Sequence, residues 1–398
     1  MINPSINGWI DKFFTVLEKQ KNDEILDSID YYTAIRKTGL IYGHAVSFSN
    51  VKEDEIKELS IDEITKIVFL DALYGVFCLK TKSSSKEAFL KTANSFYKAI
   101  QKNNYLFLKK LLPETSDNLQ LESVINDRIQ TNQNVVSKNF SHIVTNALLF
   151  LDVLAFYHFI ENTDFSKKYF ETFEKRVFQI ICMALDVKKI KTHADELLLK
   201  LFQNSLRYSK SNEVEKITIE EFNYEFITND LEKFYFFDLV QMALLSDEKL
   251  DENEYLFLNY ISEKLTISDT IATESILNIR NFIKTNRNNI SYFNHSNPVK
   301  HFYNQTNATV IKLITRNKKR LTKEIVESKE LMILLAKSTT KDLDDVEKKK
   351  VKKQLLDICK TIPSLTIFLL PGGGILLPIL VKYIPQLLPS AFNENLDE

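Results

Sequence analysis

Between Met1 and Lys360 the chain holds only four glycines and three prolines. These are the residues that turn or break a backbone, so a chain this poor in them has few places to reverse direction sharply. No stretch alternates apolar and polar residues for long enough to make a strand. Long helices remain, and the expected fold class is all-α. At 398 residues there is room for two or three domains. The net charge of −1 offers no global attraction for nucleic acid, and no nucleic-acid partner is expected. Cys78, Cys182 and Cys359 are too few and too scattered for a disulfide framework or a metal site, which suits a reducing interior. The start, Met1 to Trp9, lacks the basic and apolar regions of a signal peptide, so an intracellular protein is expected.

Helix starts are written locally. Trp9, Phe13, Val16 and Leu17 lie on one helical face, and Tyr31 to His44 reads as a second helix. Ser60 with Glu63, Ser84 with Glu87 and Thr218 with Glu221 have the spacing of capping boxes. Asn297-Pro298 places a cap before a first-turn proline. From there a long helix is expected to Ala336, turned at 338–340 into another at 341–360. The expected divisions are N-terminal helices at 1–58, a helical array at 59–295, a long helical hairpin at 296–360 and an apolar tail at 361–398.

The array looks repetitive. Phe69-Leu-Asp71, Phe150-Leu-Asp152 and Phe236-Phe-Asp238 superpose at offsets of 81 and 86. Without a gap the same offsets align Phe89, Phe170 and Leu256, then Ile100, Ile181 and Ile267. Pseudo-repeats are therefore expected at about 60–105, 140–186 and 230–270, each a helix, a polar link and a second helix. Asp71, Asp152 and Asp238 fall inside apolar helices. A buried carboxylate is costly unless bonded, so each should reach a helix N-terminus or a basic partner. The six histidines show no ligand spacing, and neither a nucleophile elbow nor a dinucleotide fingerprint is present. An enzyme is not expected, and no cofactor is implied.

In the third copy, Ser246-Asp247-Glu-Lys-Leu-Asp251-Glu-Asn-Glu254, lying between two apolar stretches, resembles the acidic link of the tellurite-resistance TerB-like helical unit at 234–268. Glu248 stands where that family usually has glycine. The resemblance implies that Asp247, Asp251 and Glu254 collect a hard cation through carboxylate oxygens. The same residues also read as a helix cap, with Asp251 as N-cap and Glu254 at the third position.

The tail departs from everything before it. The 21 residues from Thr361 to Val381 carry no charge. As helix they would span roughly 30 Å, about the hydrocarbon thickness of a bilayer. Pro371, Gly372, Gly373 and Gly374 interrupt them, disfavouring helix in water by roughly 5 kcal/mol. Two apolar halves joined by a hinge are expected, either in contact with a membrane or folded as a buried hairpin that closes a soluble core. Lys348, Lys349, Lys350, Lys352, Lys353 and Lys360 precede the run, and Lys382 follows it. Lysines placed so would flank a membrane segment, each worth about 1 kcal/mol against anionic headgroups.

Leu355 to Pro363 and Leu376 to Phe392, with Leu377-Pro378, Pro385, Leu388-Pro389-Ser390 and Phe392, resemble the membrane segment of the leucine-zipper/EF-hand transmembrane (LETM-type) family. The resemblance implies scaffolding or cation homeostasis at the cytoplasmic face of an inner membrane, and its bacterial members include biofilm-associated proteins. The expected partners are membrane lipids or a membrane protein through the tail, with self-association, the alternative being a cytoplasmic interaction module. In the family a ribosome-binding domain follows this segment. Here six residues follow Phe392, which makes a ribosome a doubtful partner.

Overall fold

The computed structural model describes residues 2–20, 27–48, 56–101, 116–129, 147–162, 168–189, 217–245, 250–286, 311–341 and 343–362, with Leu365 and short pieces between 191 and 209. Among them every regular element is helical, so the all-α expectation holds. The chain divides into two compact units. The first is 1–56, 61–131 and 141–298, and the second is 57–60, 132–140 and 299–398.

The first unit is built from Trp9–Gln20 (α1), Ser28–Thr38 (α2), Ile61–Thr81 (α3), Lys86–Gln101 (α4), Asp117–Ile129 (α5), Phe150–Glu161 (α6), Lys168–Val187 (α7), Asp230–Leu244 (α8), Glu252–Lys264 (α9) and Asp269–Asn286 (α10). Two helices sit at its centre. Helix α3 packs on α6, α2 and α5, while α8 packs on α7, α2, α9 and α10. Every residue of α8 except Asp230 and Lys233 is buried. A helix apolar on all sides gains stability only when surrounded, and that places α8 in the core.

Helix α1 buries Trp9, Ile10, Phe13 and Phe14, leaving Val16 and Leu17 half-buried. The apolar face thus gains Ile10 and Phe14 over the expected set and is poorer at its end. The helix expected at Tyr31 to His44 stops at Thr38. Gly39, at φ 83°, closes α2, and a short 3-10 turn runs Leu40–Tyr42 to Gly43. A Cβ on Gly39 would meet the His44 carbonyl oxygen at 2.3 Å, so only glycine fits this turn. Two of the expected caps move. Ser85, not Ser84, accepts from the Ala88 amide at 3.2 Å. Glu221 accepts from the Thr218 amide at 2.9 Å, but those residues form a turn with no helix behind it.

In the second unit, Lys318–Glu327 (α11), Lys329–Thr340 (α12) and Asp345–Thr361 (α13) enclose one apolar cluster. The long helix expected up to Ala336 is divided at Ser328, whose backbone leaves the helical region at φ −101°, ψ 89°. Its hydroxyl donates to Gln354 of α13 at 3.1 Å. The cluster takes in Leu321, Ile325, Leu331, Leu335, Val351, Leu355 and Ile358. Ile362 and Leu365 belong to it too, at 1% and 0% exposure. The first turn of the apolar tail is therefore core of this unit.

Candidate functional site

The aspartates inside apolar helices proved to be structural centres. On α8, Asp238 accepts from Arg36 Nε at 2.9 Å, Tyr32 Oη at 2.8 Å and Ser275 Oγ at 2.5 Å. On α6, Asp152 accepts from Arg128 Nε at 2.6 Å, again from the Arg128 fork, and from Tyr97 Oη at 3.3 Å. Each is a buried carboxylate held by one arginine and one tyrosine. Burial alone would pull both guanidiniums down, but the adjacent aspartate holds each above its ordinary value. Asp71 breaks the pattern. It is half-buried, none of the described residues bonds to it, and burial pushes its carboxyl up to about 6.

The ungapped alignment of the copies also fails in its second helix. Phe89 and Phe170 are fully buried, whereas Leu256 is 59% exposed and Phe257 and Leu258 are buried. The buried position in the third copy is thus one residue later than aligned, a turn of about 100° about the axis of α9. Lys80 and Glu161, which align with Asp247, pair with each other.

Of the acidic link, Asp247 lies outside the described residues. Asp251 caps α9, accepting from the Glu254 amide at 3.0 Å, and Glu254 accepts in return from the Asp251 amide at 2.8 Å. Both carboxylates thus serve the orphan amides of a helix start, with Lys189 4.0 Å from Asp251. Among the described residues no three His, Cys, Asp or Glu side chains gather as a cation site. Sequence reasoning missed a second capping box, Asn229 with Glu232, at the start of α8. There the buried Glu232 also accepts from Tyr169 at 2.6 Å and meets His158 Nε2 at 2.7 Å.

The lysines before the tail all lie on α13, and the hinge residues Pro371, Gly372, Gly373 and Gly374 lie outside the described residues together with Lys382. Asp344 caps α13 by accepting from the Val346 and Glu347 amides, and Glu347 returns the bond. Glu347 also takes Lys337 at 2.5 Å. Glu330 of α12 takes Lys350 at 2.9 Å, and Asp357 takes Lys360 at 2.6 Å. Lys350 holds the Glu330 carboxyl below the usual range, and the Glu347 amide does the same for Asp344. Lys348, Lys349, Lys352 and Lys353 remain exposed and make no ion pair among the described residues. They form two neighbouring i, i+4 columns, 348 with 352 and 349 with 353. Val351, Leu355, Ile358 and Cys359 of the same helix are buried. Burial pushes the Cys359 thiol up to about 12, which makes it unreactive.

The overall net charge conceals this asymmetry. Residues 311–362 carry fifteen Lys and Arg against eight Asp and Glu, while 1–310 carry thirty-six against forty-two. Among the described residues no helix is long and apolar enough to cross a membrane.

Comparison with curated proteins and with solved structures gives no match. A family model described as LETM1-like, RBD, matches residues 343–398, taking in all of α13 and the whole apolar tail. The sequence reading set the family's ribosome-binding domain after Phe392, whereas the matched model, described as RBD, falls on this segment itself. The C-terminal segment 343–398 is LETM1-like.

Proposed function

We propose that this chain is a non-enzymatic helical scaffold of LETM type, held at the cytoplasmic face of a membrane by its C-terminal segment. The observation that carries the reading is the LETM1-like match over 343–398, a stretch that includes the 21 uncharged residues from Thr361 to Val381. The basic helix α13 leads directly into that run, the order expected where cations flank an apolar membrane segment. A role in cation homeostasis follows the same likeness. Conduction would require several tails to assemble, because one interrupted segment cannot enclose a path. A place in biofilm formation is the most specific form of the proposal.

The test is flotation of the full chain with phosphatidylcholine vesicles, alongside a chain ending at Leu365. The full chain should float with the lipid and the shortened one should stay below, still folded. A second reading has its own observation, the burial of Ile362 and Leu365 in the second unit. In that reading the tail continues into the core and closes a soluble interaction module. A full chain that stays out of the lipid layer, with a shortened chain that unfolds, selects the second reading.

A further inference from the structure

We propose that the exposed lysine columns of α13, Lys348, Lys349, Lys352 and Lys353, form a docking face for a bilayer surface rich in anionic phospholipid. The proposal rests on the membrane reading above and adds the chemistry and orientation of the contact.

Seen along the sequence, Asp344, Asp345, Glu347 and Asp357 surround the lysines and should neutralise them. In the folded unit Asp344 and Glu347 are taken up by the helix cap, Glu347 and Glu330 also hold Lys337 and Lys350, and Asp357 holds Lys360. Asp345 lies in the first turn and makes no ion pair with Lys348 or Lys349. Four exposed cations are left without an ion pair among the described residues, and only through-space attraction from Asp344 to Lys348 and from Asp357 to Lys353 opposes them.

Position supplies the rest. Lys360 lies on the same helix about two to three turns beyond the four lysines, at its C-terminal end. The helix ends at Thr361, where the uncharged run begins. A flat anionic surface satisfies four lysines at once without a shaped pocket, and it also accepts the apolar residues that follow. A folded nucleic acid would use the cations but gain nothing from the adjoining apolar run.

The experiment compares the full chain on vesicles of phosphatidylcholine alone and of phosphatidylcholine with phosphatidylglycerol. Addition of phosphatidylglycerol should strengthen binding, and added salt should reverse the gain as the Debye length shortens. Each Lys→Gln change among the four should weaken partition onto the anionic vesicles about fivefold. Lys318→Gln with Lys319→Gln on α11 removes charge from the same unit and should have less than half that effect. Thermal melts of the variants should match the parent, because none of the four lysines bonds within the fold. Equal binding of both vesicle types, or a quadruple Lys→Gln chain that still prefers the anionic ones, overturns the proposal while leaving the membrane reading intact. Binding to neither vesicle overturns both. A single-stranded RNA that binds through the four lysines and is not displaced by anionic vesicles also overturns it.

Discussion

The buried start of the tail gives the sharpest test, because two truncations five residues apart should behave differently. A chain ending at Lys360 loses Ile362 and Leu365, which are 1% and 0% exposed, whereas a chain ending at Leu365 keeps both. Burial of one such side chain is worth about 1.5–3 kcal/mol, so the shorter chain should lose about 3–6 kcal/mol. The apolar cluster of the second unit has fourteen buried members among the described residues, and two of them would be gone. Against a typical domain stability of about 5–15 kcal/mol the loss is severe. Urea melts followed by limited proteolysis within 311–360 would measure it. The chain ending at Lys360 should expose this region to cleavage at denaturant concentrations where the chain ending at Leu365 stays protected. The point changes Ile362→Ala and Leu365→Ala in the full chain should each cost about 2–4 kcal/mol. If the two truncated chains melt together and both point changes cost under about 1 kcal/mol, the first turn of the tail is not core.

Asp238→Ala would strand the Arg36 guanidinium in the core and leave the Tyr32 hydroxyl without its acceptor. It should cost about 3–5 kcal/mol, with a fall in Tm on the order of 10 °C by calorimetry, and a loss under about 1 kcal/mol would contradict the buried pair. For Asp71 the folded carboxyl titrates at about 6, above its ordinary 3.8, so the native state binds this proton more tightly than the unfolded chain does. Stability from this group is therefore full below about pH 4 and lost as pH rises through 6. Asp71→Asn should raise stability at pH 7.5 by about 1–2 kcal/mol, allowing for partial exposure, and the gain should vanish near pH 4. A variant equally stabilised at both pH values would sever the effect from titration. At the acidic link, Asp251→Ala should cost about 1 kcal/mol through the lost cap. Calorimetry with calcium should find no micromolar site in the parent chain, and a stoichiometric site abolished by Asp251→Ala would restore the metal role.

What the sequence determined by itself is what short-range chemistry can encode. Scarce glycine and proline pointed to helices, which every regular element among the described residues is, and Asp251 with Glu254 specified a helix start because both bonds close within three residues. The position of Asp71, Asp152 and Asp238 in apolar helices likewise called for a helix N-terminus or a basic partner, and Asp152 and Asp238 have an arginine whereas Asp71 has no bond among the described residues. Which cation was not legible. Arg36 reaches Asp238 across 202 residues and Arg128 reaches Asp152 across 24, and no local spacing marks either pairing. The turn of α9 that exposes Leu256 was hidden as well, because a shift of one residue turns the buried face of a helix by about 100°. The same holds for the charges of α13. In sequence its lysines and acids are interleaved and would cancel, but helical geometry turns Glu347 and Lys350 to Lys337 and Glu330 of α12 and leaves Lys349 and Lys353 exposed. Only packing against α11 and α12 decides that Ile362 and Leu365 are core, since burial depends on which surfaces meet.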